Sequence, residues 1–112
     1  MIAIVDYGVG NIANIERALK ELGEAVIVTS DLELLGQAEA LVLPGVGAYA
    51  PAMARLEETG LIEFLQEQAT KKPFLGICLG MQLLFESSDE DGQTEGLGIL
   101  PGTVQKLPSD VR

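Results

Sequence analysis

The sequence predicts an α/β fold of three layers, a mostly parallel sheet with helices on both faces. Three observations predict it. Short apolar runs rich in Val, Ile and Leu alternate with longer stretches whose apolar residues fall at helical spacing. Glycine-bearing loops follow three of those runs, where a strand-to-helix reversal needs backbone freedom. Hydrophobic residues make up 47% of the chain and aromatics only 4%, so the core is aliphatic, which suits helices packed on a parallel sheet.

Taken in order, Ile2-Ala3-Ile4-Val5 reads as a first strand, closed by the loop Asp6-Tyr7-Gly8-Val9-Gly10. Ile12, Ile15, Leu19 and Leu22 then mark a helix, with Asn11 as its N-cap and Gly23 where a left-handed residue stops it. Ala25 to Thr29 is a second strand. Ser30 or Asp31 caps a short helical turn through Leu35, and Ala40-Leu41-Val42-Leu43 is a third strand. Pro44-Gly45-Val46-Gly47 breaks the chain there. A helix over Tyr49 to Glu58 and another bearing Leu61, Ile62, Leu65 and Ala69 are separated at Gly60. Phe74-Leu75-Gly76-Ile77 is a fourth strand with Cys78 at its end, followed by helical spacing from Leu79 to Phe85. Glu86 to Glu95 reads as an acidic, turn-rich loop, and Leu97 to Leu100 and Thr103 to Leu107 as two further short strands. Strands alternating with helices at this spacing imply right-handed crossovers in one domain.

Composition excludes several classes. Seven basic residues face seventeen acidic ones, a net charge of −10 that repels nucleic-acid backbones and anionic lipid. No apolar run approaches the roughly 18–20 residues of a membrane span, and the first residues lack the basic start of a secretory signal, so the expected location is the cytoplasm. One cysteine makes no internal disulfide, as a reducing compartment favours. Histidine is absent, which removes the usual general base and the commonest metal ligand.

In an open α/β sheet the loops after Val5, Leu43 and Ile77 converge at the carboxyl ends of the strands. The first lacks a full dinucleotide fingerprint, because Ala13 stands where the third glycine belongs, and it equally fits a plain tight turn. Gly76-Ile77-Cys78-Leu79-Gly80 has the spacing of a nucleophile elbow, in which side chains at the flanking glycines would meet neighbouring backbone. At a helix start the dipole favours the thiolate of Cys78, and the N–H of Leu79 faces a developing oxyanion. The competing reading makes Cys78 a small buried hydrophobe beside two packing glycines. Pro44 to Gly47 is either a donor of further N–H groups to that oxyanion or an ordinary strand-ending turn. Gln82 lies one turn beyond Cys78, where its amide either binds a polar substrate group or is solvated. The carboxylates Asp89, Glu90, Asp91 and Glu95 are a solvated segment or a holder for an ammonium; they lack the ligand spacing of a calcium loop.

The run from Gly76 through Met81, Gln82, Leu83, Leu84, Phe85 and Glu86 resembles the nucleophile segment of class I, triad-type glutamine amidotransferases, whose fold is flavodoxin-like. The opening Ile4 to Asn11 and the loop Pro44 to Ala48 resemble the branch serving imidazole glycerol phosphate synthase. The resemblance implies that Cys78 forms a γ-glutamyl thioester, with Leu79 N–H and the Gly45–Val46 peptide stabilising the oxyanion. It implies that Gly47, Gln82 and Glu90 contact the glutamine substrate. The released ammonia would pass to a (β/α)8-barrel cyclase subunit in a heterodimer for histidine biosynthesis, with Asn11, Asn14 and Arg17 touching that partner; solvent exposure is the other reading of this helix face. No cofactor and no metal are implied.

In the family the triad histidine and glutamate lie well downstream of the cysteine, and these 112 residues contain no histidine. The expectation is therefore a truncated fold, residues 1–112 being the N-terminal part of one amidotransferase domain and inactive alone, with exposed sheet edges that lead to self-association or to disorder near the C-terminus. Two alternatives remain open at this level. Amidotransferases of anthranilate, carbamoyl phosphate or GMP synthesis share the elbow, although several carry histidine where Met81 stands. A non-enzymatic flavodoxin-like binding module would use the glycine loops for phosphate and Cys78 for packing.

Overall fold

The computed structural model describes residues 1–90, 92–105 and 107. Four strands form the main sheet: β1 (Ile2–Val5), β2 (Val26–Thr29), β3 (Ala40–Leu43) and β4 (Phe74–Gly76). Their order is β2-β1-β3-β4 and every pairing is parallel, with Ile4 opposite both Val28 and Val42, and Leu43 opposite Gly76. The connecting helices are α1 (Ile12–Glu21), α2 (Leu32–Gln37), α3 (Tyr49–Glu58) and α4 (Ile62–Gln68); α5 (Leu79–Gln82) follows β4.

Successive residues of a strand face opposite sides, and that alternation places the core. Ala3, Val5, Leu41 and Leu43 pack with Leu35, Tyr49, Ala52, Met53, Leu56, Leu61, Leu65, Leu79 and Leu83 from α2 to α5. Ile4 and Val42 point the other way and are equally buried. The helix left to cover them is α1, which contacts β2 and lends Ile12, Ile15 and Leu19 as half-buried residues. Helices thus lie on both faces, as the pattern predicts. Leu75, beside Val42 on that second face, stays 54% exposed because β4 is the sheet's edge among the described residues.

Local chemistry sets the helix ends. Gly23 (φ 88°) closes α1, its N–H donating to Lys20 O and that of Glu24 to Leu19 O, the paired bonds of a left-handed terminus. Asp31 caps α2 by accepting from Glu33 N at 2.9 Å. Asn11 precedes α1 as expected but makes no side-chain cap.

The C-terminal third departs from the sequence reading. Helical α5 runs only to Gln82, after which i→i−3 bonds carry the turn to Phe85. Leu97 to Leu100 is no strand: its N–H groups donate to the carbonyls of Leu83, Phe85 and Leu84, which a short helix leaves unsatisfied. The acidic segment expected to be loop contains β5 (Ser87–Ser88) and β6 (Thr94–Glu95), which pair antiparallel, while β7 (Thr103–Val104) adds in parallel to β5. β7 falls within the strand read at Thr103 to Leu107, whereas β5 and β6 carry no apolar alternation and nothing local announces them. Disorder expected near the C-terminus falls on residues 108–112, outside the described residues.

Candidate active site

Because β1, β3 and β4 are parallel neighbours, the loops after Val5, Leu43 and Gly76 emerge on one edge, and hydrogen bonds join them. The hydroxyl of buried Tyr7 donates to Pro44 O at 2.6 Å, linking the first loop to the second. Ile77 N donates to Leu43 O at 3.0 Å, and Leu79 N to Gly45 O at 3.3 Å, linking the second to the third.

Cys78 sits at the bend between β4 and α5 with φ 56° and ψ −123°, and it is the one non-glycine residue with positive φ among those described. With Gly80 N donating to Ile77 O at 2.9 Å, these angles place Cys78 at the first central position of a type II′ turn, which strongly favours glycine. The strain presents the side chain outward. Cys78 is exposed, so it is not a packing residue of the core.

The flanking glycines are there for space. A Cβ on Gly80 would fall onto the carbonyl oxygen of Leu43, one on Gly76 would meet Met81 Cα at 2.6 Å, and one on Gly45 would meet Gly80 N at 2.6 Å. Backbone cannot yield as a flexible side chain does, so β3, β4 and α5 interlock only with hydrogen at these positions.

The remaining predicted residues are distributed as follows. Gly45 is buried against the elbow, whereas Val46 is 54% exposed, and Gly47 (φ 90°) is exposed with open space where its Cβ would be. The carbonyl of Gly45 already occupies Leu79 N–H, so the peptide of Gly45 and Val46 turns its oxygen, not its N–H, toward the elbow. Half-buried Gln82 is on α5, its N–H donating to Cys78 O at 3.4 Å. Half-buried Glu90 has its N–H on Ser88 Oγ at 3.2 Å and bridges to Gly92. A four-residue helix carries little macrodipole, which weakens the expectation that α5 favours the thiolate. Asn11, Asn14 and Arg17 are exposed.

Three residues of this region had no local signal in the sequence. Tyr7 is 1% exposed, and burial pushes its hydroxyl well above the ordinary tyrosine range. Arg55 of α3 reaches back, Nε donating to Tyr7 O at 3.3 Å while Nη1 pairs with Glu58 at 3.0 Å. Tyr49 is 2% exposed and its hydroxyl has no hydrogen-bond partner among the described residues; burial, and then the charge of Glu90, raise its pKa. A cleft of about 510 Å³ between α3, α4 and β6 is lined by Met53, Glu57, Gln66, Thr94 and the candidate carboxylate Glu95, but not by Cys78, Gly45, Gly47, Gln82 or Glu90. Among the described residues no group of His, Cys, Asp and Glu could hold a metal ion, and no helix is long and apolar enough to cross a membrane.

Comparison with known proteins bears on this arrangement. Residues 3–107 match the family described as glutamine amidotransferase class-I. The chain is 99% identical over 112 residues to the imidazole glycerol phosphate synthase subunit HisH of Exiguobacterium sibiricum, covering all of this chain and 57% of that relative. It is 56% identical over 108 residues to the protein of the same description from Bacillus cereus (strain AH187), covering 96% of this chain and 52% of the relative. The chain therefore spans little more than half the length of these relatives. A crystal structure of a glutamine amidotransferase superposes with a TM-score of 0.77 at 23% identity, over 94% of this chain and 56% of that one, and shares the fold. With the elbow's geometry and a family match over nearly its whole length, the chain belongs to the class-I glutamine amidotransferases.

Proposed function

We propose that this chain carries the nucleophile half of a glutaminase that supplies ammonia to a synthase, and that residues 1–112 are the N-terminal part of one amidotransferase domain. The observation that carries the reading is Cys78: exposed, held at φ 56°, and framed by glycines that no larger residue can replace. Cys78 Sγ, as thiolate, attacks the side-chain amide carbon of glutamine. A C–S bond forms, the carbonyl oxygen takes the negative charge, and collapse expels ammonia once its nitrogen is protonated. Water then cleaves the γ-glutamyl thioester to glutamate and the free thiol.

Leu79 N–H is the nearest donor for the oxyanion, and at present Gly45 O holds it. Rotation of the peptide between Gly45 and Val46 would remove that carbonyl and turn Val46 N–H toward the same point, completing a two-donor hole. Glycine at positions 45 and 47 makes the rotation easy. Gly47 and Gln82 bind the substrate and Glu90 its ammonium group.

The base is the missing part. These 112 residues hold no histidine and cover 57% and 52% of two relatives, and the triad histidine and glutamate of the family pattern belong to the part of those relatives that this chain does not cover. The partner is a (β/α)8-barrel cyclase in the cytoplasm, met through Asn11, Asn14 and Arg17, and the ammonia serves formation of imidazole glycerol phosphate in histidine biosynthesis. The names of the relatives support that choice over other triad amidotransferases.

The test is labelling of Cys78 by a diazo-ketone analogue of glutamine. The expected result is slow labelling of the chain alone and fast, glutamine-protected labelling after mixing with the separately expressed remaining residues of the Exiguobacterium relative. Labelling that glutamine does not slow would overturn the reading. So would robust ammonia release by the purified 112-residue chain, since that needs no added base.

A further inference from the structure

We propose that Tyr7 is a positioning residue for the oxyanion loop: its hydroxyl pins Pro44, so that rotation is confined to the segment Gly45 to Gly47. The proposal rests on the glutaminase reading above and adds a residue to it.

Four contacts make the hinge. The Tyr7 hydroxyl, buried, donates to the buried carbonyl of Pro44 at 2.6 Å across 37 residues of sequence. The backbone of Tyr7 is itself held from α3, because Arg55 Nε donates to Tyr7 O at 3.3 Å. Gly10 packs against the proline ring, and a Cβ there would come within 2.8 Å of Pro44 Cβ. On the strand side Leu43 O accepts Ile77 N–H at 3.0 Å. Pro44 is thus gripped from β1, β3 and β4.

Beyond Pro44 the loop is held only by the packing of Gly45 on the elbow and its bond from Leu79 N–H, and from Val46 on the restraint ends. Val46 is 54% exposed, and Gly47 has nothing within 4 Å of the place a Cβ would occupy. A loop held at one end and free at the other pivots about a defined point. That matters because an oxyanion donor must be aimed at a position set by Cys78 Sγ, and errors of about 1 Å are costly. Phenylalanine at position 7 would keep the ring and its packing while leaving the Pro44 carbonyl buried without a donor.

The experiment is Tyr7→Phe, read by amide hydrogen exchange in this chain. Exchange at Leu79 N–H, which depends on Gly45 one residue past the hinge, is expected to quicken about 5- to 10-fold, the factor one ordinary hydrogen bond is worth. Leu41 N–H, bonded to Pro73 O in the β3–β4 ladder, is expected to stay as in the parent. Tyr49→Phe, which removes a hydroxyl with no partner, serves as the control and leaves both unchanged. Unchanged exchange at Leu79 overturns the proposal, and so does equal quickening at Leu79 and Leu41, which would mean general loosening.

Kinetics then separate this proposal from the reading beneath it. In the chain complemented by the remaining residues of the Exiguobacterium relative, Tyr7→Phe is expected to lower kcat about 10-fold with KM unchanged, because the hinge acts on the oxyanion and not on substrate binding. Parent-like kcat overturns the positioning role while leaving the glutaminase reading intact. A complemented parent with no glutaminase activity overturns that reading, and exchange at Leu79 still decides whether Tyr7 holds the hinge.

Discussion

Gly80 lies directly on the carbonyl of Leu43, in space that a β-carbon would need. Leu43 ends β3 and Gly80 belongs to α5, so this contact sets how closely α5 docks on the central sheet. The nearest obstacle is backbone, and Leu43 O is already committed to Ile77 N–H.

Gly80→Ala is therefore expected to destabilise the fold by about 2–3 kcal/mol, the range of an overpacked core. Gly36→Ala is the contrast. Gly36 is inside α2 and its nearest obstacle is the end of the Phe64 ring at 4.0 Å, so alanine is expected to stabilise by about 0.5–1 kcal/mol. Urea unfolding of the two variants, read as midpoint shifts of opposite sign, checks both.

Cys78→Gly is expected to raise stability by about 1 kcal/mol while abolishing every reaction of the thiol. The parent residue holds a conformation that glycine adopts without strain, and the gain is the strain less the extra chain entropy that glycine brings. A urea midpoint at or below that of the parent would show that the elbow stores no such strain.

Lys72 Nζ donates to the carbonyls of Leu35, Gly36 and Ala38 at 3.3, 3.0 and 2.8 Å, closing the C-terminus of α2 with a cation. Lys72→Met keeps the stem and loses the cap. A loss of about 1–2 kcal/mol is expected, with faster amide exchange in α2 than in α3.

Alkaline titration follows from Tyr7. Its pKa is raised in the folded chain by burial, above the ordinary value of 10.0, so below that pH both states keep the proton and the group adds no pH dependence. As pH rises past 10.0 the unfolded chain releases the proton and the folded chain holds it, so stability falls. One such group contributes a slope of up to about 1.4 kcal/mol per pH unit. Tyr7→Phe is expected to flatten the fall in urea midpoint between about pH 10 and about pH 11, with a smaller share left to Tyr49, whose pKa is also raised.

The outer edge of β4 and the exposed side chain of Leu75 are expected to drive self-association of the isolated chain. Sedimentation velocity across a range of concentrations reads it, and Leu75→Lys is expected to shift the population toward monomer. A sharp, concentration-independent monomer boundary for the parent would count against it.

Much of this was legible one segment at a time. The β-branched runs at Ile2–Val5 and Val26–Thr29, the stop at Gly23 and the cap at Asp31 each express a local preference of a few residues, and the main sheet follows from repeating them. The elbow was legible too, because glycine two places either side of Cys78 is a local signature of a crowded reversal. Ser87–Ser88, Thr94–Glu95 and the coil at Leu97–Leu100 were not, since the two strands are shaped by pairing with each other and with Thr103–Val104, and the coil by carbonyls left open at the end of α5.

By itself the sequence determined the strands and helices of the main sheet, the family and the elbow spacing around Cys78, all of which rest on short-range spacing and residue type. Tertiary structure alone decided that Tyr7 reaches Pro44, that Arg55 holds Tyr7, and that Gly45 O rests on Leu79 N–H. Each of these joins residues more than thirty positions apart whose side chains or carbonyls have no preferred partner until parallel strands bring their ends to one edge, where burial makes an unpaired polar atom costly and so selects the pairing.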